Sequence, residues 1–230
     1  MLGKSFKTIL ARLKKLFKIM TLNPFLNYCK YYKELESRSV ESLCLELVGK
    51  RFLKHTLEIS QRVGIKPFLT FGTLLGYRRE QGFIPHDTDI DLGLLENDWQ
   101  HIHRLETEMA KEGYPLKTHN KYIVSFYHPI SPSLHIDFFL FYNKDDRMII
   151  SCVQGGQIYH YHYSPEIFAH FKETTFLDIP VVVPVEVDAF LQQSYGNWKV
   201  ENKAFDYTDA HSCPNLHIEK LPPAGESLVK

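Results

Sequence analysis

The pattern of apolar and polar positions changes character near residue 64. At about 100° per residue, Leu2, Phe6, Ile9, Leu10, Leu13, Leu16, Phe17 and Met20 share one arc of residues 2–20. Lys4, Lys7, Arg12, Lys14, Lys15 and Lys18 cover the opposite side, which predicts a basic amphipathic helix ended by Asn23-Pro24. A second long helical pattern runs over residues 34–63, with Leu43, Leu47, Phe52, Leu53, Leu57 and Ile59 as core positions and Gly64 where a C-terminal cap belongs.

Beyond Gly64 strand-like segments dominate. Residues 67–71 (PFLTF) and 89–95 (DIDLGLL) read as strands, with a short helix from about Thr73 between them. Residues 97–113 predict a helix with Asn97 as N-cap and Gly113 as stop. Strands are expected at 122–127, 134–142 and 158–163, where aromatic and β-branched residues concentrate. A last helix enters after Pro184 and closes at Gly196, and from Pro214 the polar, Pro-containing sequence predicts a loose tail. The expected architecture is α+β, a mixed β-sheet flanked by helices, with an N-terminal amphipathic helix. Its divisions are an extension over 1–33, a folded domain over 34–213 and a flexible tail over 214–230.

Charge is unevenly spread. The chain has 27 Lys and Arg and 27 Asp and Glu; eight of the basic and none of the acidic residues precede residue 34, leaving 19 basic against 27 acidic. A body with that balance lacks the basic face that nucleic acid requires, so no nucleic-acid partner is expected. Cys29, Cys44, Cys152 and Cys213 form no C-x-x-C pair, which argues against a structural zinc site and a disulfide framework and for a reducing compartment. No run approaches the roughly 20 apolar residues that cross a bilayer. Lysines also break each early apolar run before a signal peptide can form. The expected location is cytoplasmic, at the inner face of the membrane, with residues 2–20 lying on an anionic surface; the alternative is that their apolar arc packs on the folded domain or a second subunit.

Candidate chemistry concentrates in residues 71–95, FGTLLGYRREQGFIPHDTDIDLGLL. Alternate strand residues share a face, so Asp89 and Asp91 project together while Ile90 and Leu92 face the core. Asp87 stands just before the strand, and Asp137 is a lone acid in the apolar strand LHIDFFLFY. Carboxylates are costly in such settings unless paired or metal-bound, and oxygen-rich groups suit Mg²⁺ or Mn²⁺. A calcium loop starting at Asp87 would want Gly and Glu where Leu92 and Asp98 stand. Gly72 and Thr73, at a strand-to-helix turn, would aim a backbone N–H and a hydroxyl at an anion, with Arg78 and Arg79 as phosphate partners. A carboxylate-bound cation facing an anion cradle is what phosphoryl transfer requires. The pairs His101/His103 and His160/His162 read as structural or surface groups, whereas His86 adjoins the aspartates.

These elements resemble the LicD/fukutin family of the nucleotidyltransferase superfamily. The resemblance rests on the 71–95 segment, on LHIDFFLFY and on SYGNW (194–198), and it covers about 68–214. It implies that 34–213 is a catalytic domain that moves a phospho-alcohol group from a CDP-activated donor to a hydroxyl of a cell-surface glycan or glycolipid. Ribitol phosphate, glycerol phosphate and phosphocholine are the groups this family handles. By position, Asp89 and Asp91 match its metal-binding D-x-D, Asp137 its third metal carboxylate, and Gly72-Thr73 its Gly-Ser/Thr turn. Asp137 would complete the metal site or accept the proton of the attacking hydroxyl. Tyr195 and Trp198 would stack on the base or the acceptor sugar, or pack at the helix end. His86 and Thr88 depart from the common P-W-D-D-D-I-D form, which puts the role of Asp87 in question. A small-molecule nucleotidyltransferase and an inactive glycan-binding relative are the alternatives.

Overall fold

A computed structural model of the protein describes residues 40–202 and 204–220. The basic helix expected over residues 2–20, the first residues of the second helix and the end of the tail lie outside the described residues. Helix α1 (Val40–Val63) buries Leu43, Phe52, Leu53 and Ile59, as its periodicity predicts. Gly64 ends it at φ +82, where its N–H donates to the Gln61 carbonyl (3.1 Å) and the Ile65 N–H to that of Ser60 (2.9 Å).

Strand β1 is only Phe68–Leu69, because the chain enters α2 (Phe71–Leu75) at Phe71 and continues into a π-helical turn, Gly76–Glu80. Strand β2 (Asp89–Leu95) has the predicted bounds. The single helix expected at 97–113 is instead two, α3 (Glu96–Trp99) and α4 (Ile102–Lys111). Asn97 is therefore not an N-cap: the strand feeds directly into α3 from extended Leu95, and His101 (φ −95, ψ 4) breaks the helix before α4.

Strands β3 (Leu116–His119), β4 (Ile123–His128), β5 (Ser131–Lys144), β6 (Arg147–Gln154) and β7 (Gln157–Tyr163) follow. A 3₁₀ turn at Pro165–Phe168 then leads to the hairpin β8 (Phe171–Phe176) and β9 (Ile179–Pro184), and on to α5 (Val187–Tyr195) and β10 (Leu216–Lys220). The main sheet runs β1-β2-β5-β6-β7-β10, with β4 also on β5 and β3 on β4; β8 and β9 form a separate pair. The sheet is mixed, since β2 and β5 are parallel and the other pairings antiparallel.

The loose tail expected from residue 214 is corrected over 216–220, which form β10 along the edge of β7. A ladder at a free edge asks little of side chains: only Leu216 of this strand is buried, and the hydrogen bonds are made by backbone. Strands β6, β8 and β9 also escaped the sequence pattern. Their hairpins close on two-residue turns, Asp145-Asp146, Gly155-Gly156 and Leu177-Asp178, with positive φ at both positions.

One face of the β2–β5–β4 layer is wholly apolar. Ile90, Leu92, Ile136, Phe138, Val124 and Phe126 are all fully buried on it, each side chain contributing roughly 1.5–3 kcal/mol. Helix α1 packs on β2 and β5. The other face carries Asp89, Asp91, His135 and Asp137 and, further along, Phe139 against the ring of Phe71 at 5.0 Å.

Candidate active site

The parallel register of β2 on β5 sets Asp89 opposite His135 and Asp91 opposite Asp137, and β4 adds Ser125 beside Asp137. Residues in register share a face, so three acidic strand positions and an imidazole converge, although more than 40 positions separate those of β2 from those of β5. Ligating atoms of Asp89, His135 and Asp137 lie within 4.8 Å of one another. His135 Nε2 is 3.5 Å from Asp89 Oδ2 and 3.5 Å from Asp137 Oδ2. His135 escaped the sequence reading, yet its signal was present: His135-Ile136-Asp137 repeats the alternation of Asp89-Ile90-Asp91.

The α2 turn holds the second layer. The Gly72 N–H donates to Asp91 Oδ2 at 2.9 Å, and the Asp91 N–H donates to Thr73 Oγ1 at 2.8 Å. Thr73 is 1% exposed, so its hydroxyl is part of the frame around Asp91 and does not face an incoming anion as the sequence suggested. A Cβ at Gly72 would stand 2.6 Å from Asp87 Oδ2 and 3.1 Å from Asp91 Oδ2. The glycine is needed for this close approach.

Asp87, whose role the sequence left in question, joins the group and hydrogen-bonds with Asp89. Burial, then the charge of Asp89 and that hydrogen bond, push the Asp87 carboxyl up to about 7. Burial and the charge of Asp137 raise Asp89. Asp91 is held well above the carboxylate range, first by burial and then by the charges of Asp89, Asp87 and Asp137, against the opposing pull of the Gly72 amide. Carboxylates about 4 Å apart repel by roughly 4 kcal/mol at an effective dielectric near 20. Asp137 Oδ1 is buried without a hydrogen-bond partner, an arrangement that costs about 1–3 kcal/mol unless something satisfies it. Crowded acids and an orphaned buried oxygen fit a divalent cation, and this donor set would hold one.

The carboxylates lie in a cleft of about 680 Å³. Phe139, Tyr161, Tyr195 and Tyr207 are among its aromatic lining, and Lys117, Arg79 and His86 line it as well. Lys117 also bears electrostatically on Asp89 and is a second residue the sequence did not single out.

The remaining expected residues divide. Arg78 does not line the cleft: its guanidinium makes a two-point pair with Asp188 (2.7 and 3.2 Å), and its role as a phosphate partner is corrected on that ground. The partner at the start of α5 holds it on the outer surface. Arg79 stays at the cleft, with Nη1 donating to the Trp198 carbonyl at 3.2 Å and Nε to Glu80 at 2.7 Å. Tyr195 packs on Phe205 with ring centroids 4.9 Å apart. Trp198 is 6% exposed, with the Arg78 guanidinium 5.6 Å from its ring centre, so packing at the helix end occupies much of its surface.

The mixed sheet thus pairs carboxylates at the start of β2 with one in register on its parallel neighbour β5, facing a glycine turn. Residues 64–186 match the family described as LicD/FKTN/FKRP, nucleotidyltransferase domain, and the chain belongs to the LicD/fukutin family. It is 27% identical over 204 residues to "Ribitol-5-phosphate transferase FKTN" of Homo sapiens, covering 85% of this chain and 42% of that protein. The Macaca fascicularis protein of the same description gives the same identity and coverage. An uncharacterized protein of Rickettsia typhi is 29% identical over 148 residues, covering 64% of this chain and 45% of that one. The chain thus spans less than half the length of these relatives. A crystal structure of ANT(2")-Ia in complex with adenylyl-2"-tobramycin overlaps 59% of this chain and 67% of that one, at 16% identity and a TM-score of 0.36. Family membership does not rest on that overlap. Among the described residues no helix is long and apolar enough to cross a membrane.

Proposed function

We propose that the protein is a metal-dependent transferase that moves a phospho-alcohol group, of the ribitol phosphate, glycerol phosphate or phosphocholine type, from a CDP-activated donor to a hydroxyl of a glycan or glycolipid. The observation that carries this reading is the convergence of Asp89, Asp91 and Asp137 on one sheet face, at the floor of a cleft, in a chain of this family. Asp89, Asp91 and Asp137 would hold Mg²⁺ or Mn²⁺, with His135 beside them. When bound, the cation would neutralise the donor pyrophosphate and the departing CMP.

The chain's own groups supply the positioning. Gly72 and Thr73 fix Asp91 through its side chain and its amide, so the carboxylate is aimed before any ligand arrives. Lys117 and Arg79 line the cleft, where they would meet the donor's phosphate oxygens. The aromatic wall would take the base or the acceptor sugar and exclude water. The acceptor oxygen forms the new bond to the phosphorus that carries the alcohol, the bond from that phosphorus to CMP breaks, and the hydroxyl proton passes to a carboxylate of the group.

The test supplies CDP-ribitol, CDP-glycerol and CDP-choline in turn, with Mg²⁺ or Mn²⁺ and a glycan acceptor. Release of CMP, and its loss by orders of magnitude in Asp89→Asn with the fold intact, is expected. Pyrophosphate from a nucleoside triphosphate, with no CMP from any donor, would mark a small-molecule nucleotidyltransferase instead.

A further inference from the structure

A second group of metal-ligating side chains lies apart from the carboxylate floor. His103 and Glu106 are one turn apart on α4, and β3 ends by bringing His119 to the same carboxylate. His103 Nδ1 lies 2.8 Å from Glu106 Oε2 and His119 Nδ1 lies 2.5 Å from Oε1. The two imidazole centres are 5.3 Å apart, and one ligating atom from each of the three residues falls within a 4.8 Å set. Glu106 is part-buried, with its side chain 19% exposed; His119 is an exposed residue whose side chain is turned inward to 27%, and His103 closes the group from the solvent side at 82%.

We propose that His103, Glu106 and His119 form a site for Zn²⁺ or a similar borderline divalent ion, with its fourth position open to water. Two imidazole nitrogens and one carboxylate oxygen are a donor set for zinc, whereas Mg²⁺ and Ca²⁺ take oxygen. With metal–ligand bonds near 2.0–2.1 Å, tetrahedral ligands stand about 3.3 Å apart, and a set of three ligating atoms already within 4.8 Å of one another is near that spacing. The ion would replace the protons that now bind the two Nδ1 atoms to Glu106. The scattered cysteines argue only against a thiolate site; these ligands are histidines and a glutamate.

The place in the fold gives the site a purpose. Among the described residues β3 pairs only with β4, and that pairing slips between Leu116 and Thr118. Three of its four residues are exposed, so little packing fixes it. Yet Lys117 and Thr118 of this strand line the cleft. An ion tying His119 to α4 would anchor this sparsely packed strand beside the carboxylates and hold Lys117 in position. As ion pairs alone, contacts at such exposure add little.

The test uses the full chain freed of metal by a chelator and titrated calorimetrically with Zn²⁺ in excess Mg²⁺. An Asp89→Asn/Asp137→Asn background keeps the cleft from contributing. One Zn²⁺ per chain is expected to remain in that background. His103→Ala, His119→Ala and Glu106→Gln should each weaken it at least about 10–100-fold, the loss usual even for a residue that only supports a ligand. His101→Ala, one turn-break away, should bind as before. Hydrogen exchange at residues 116–119 should slow with Zn²⁺ and not in His119→Ala. The high exposure of His103 ensures a folded variant in at least that arm. Unchanged affinity in His103→Ala/His119→Ala, or no Zn²⁺ uptake by the background protein, overturns the site. Both readouts are independent of transferase activity, so failure here and failure of the proposed reaction are separable.

Discussion

A methyl group added at residue 72 reaches the carboxylates directly, which makes Gly72→Ala a sharp probe of the site. The new Cβ would stand 2.6 Å from Asp87 Oδ2, 0.8 Å inside the 3.4 Å where ordinary contacts begin, and 3.1 Å from Asp91 Oδ2. Backbone strain plays no part, because Gly72 lies in α2 and is absent from the positive-φ positions. In a helix, alanine is favoured over glycine by about 0.5–1 kcal/mol, and Asp87 can relieve the clash by swinging its side chain. Thermal stability should therefore be unchanged or slightly raised. The site should suffer, since displacing a functional group by nearly 1 Å costs about 100-fold in rate. We expect CMP release to fall about 10–100-fold with Tm within a few degrees of the parent. The cause can be isolated in a double-mutant cycle: with Asp87→Ala the closest contact is gone, and the remaining penalty of Gly72→Ala should shrink to about tenfold or less. Mn²⁺ affinity, followed calorimetrically, should track the loss. Parent-like turnover in Gly72→Ala, or an equal penalty in both backgrounds, refutes the steric reasoning.

Arg78→Ala should leave turnover near the parent and stability within about 1 kcal/mol, because its partner Asp188 is half exposed and outside the cleft. Lys117→Ala should instead raise KM for the donor about 10-fold or more, the loss of one charge-assisted hydrogen bond at roughly 1.5–3 kcal/mol; equal effects from the two variants would contradict the placement. His128, packed on the rings of Phe52 and Tyr114, accepts the Ile130 N–H at Nδ1, and burial lowers it to about 4 from 6.5. The unfolded chain protonates first, so this contribution is full above about pH 6.5 and is lost as pH falls through 4, by roughly 1–3 kcal/mol. Denaturant melts at pH 7 and 4.5 should show His128→Asn, which keeps an acceptor but cannot titrate, losing less stability on acidification than the parent.

The local chemistry of β2 was legible from the chain alone. A period of two in D-I-D-L-G-L-L requires a strand with one apolar and one acidic face, and no partner is needed to deduce that Asp89 and Asp91 project together. The long helix and its glycine cap were equally local, since a 3.6-residue pattern and a left-handed end are properties of adjacent residues. Edge strands were not: β3 and β10 are polar and gain their form from a neighbour's unpaired backbone, which no side-chain pattern records. The site divides along the same line. Which strand lies beside β2, and in which register, depends on packing across the whole sheet, and that decided that His135 stands with Asp89 and Asp137 with Asp91. The same packing turned Thr73 inward to Asp91, brought Asp87 against Gly72, and gave Arg78 to Asp188. Residue type and spacing determine what a side chain can bind. Only the tertiary contacts determine what stands close enough to be bound, because those distances are set by residues far away along the chain.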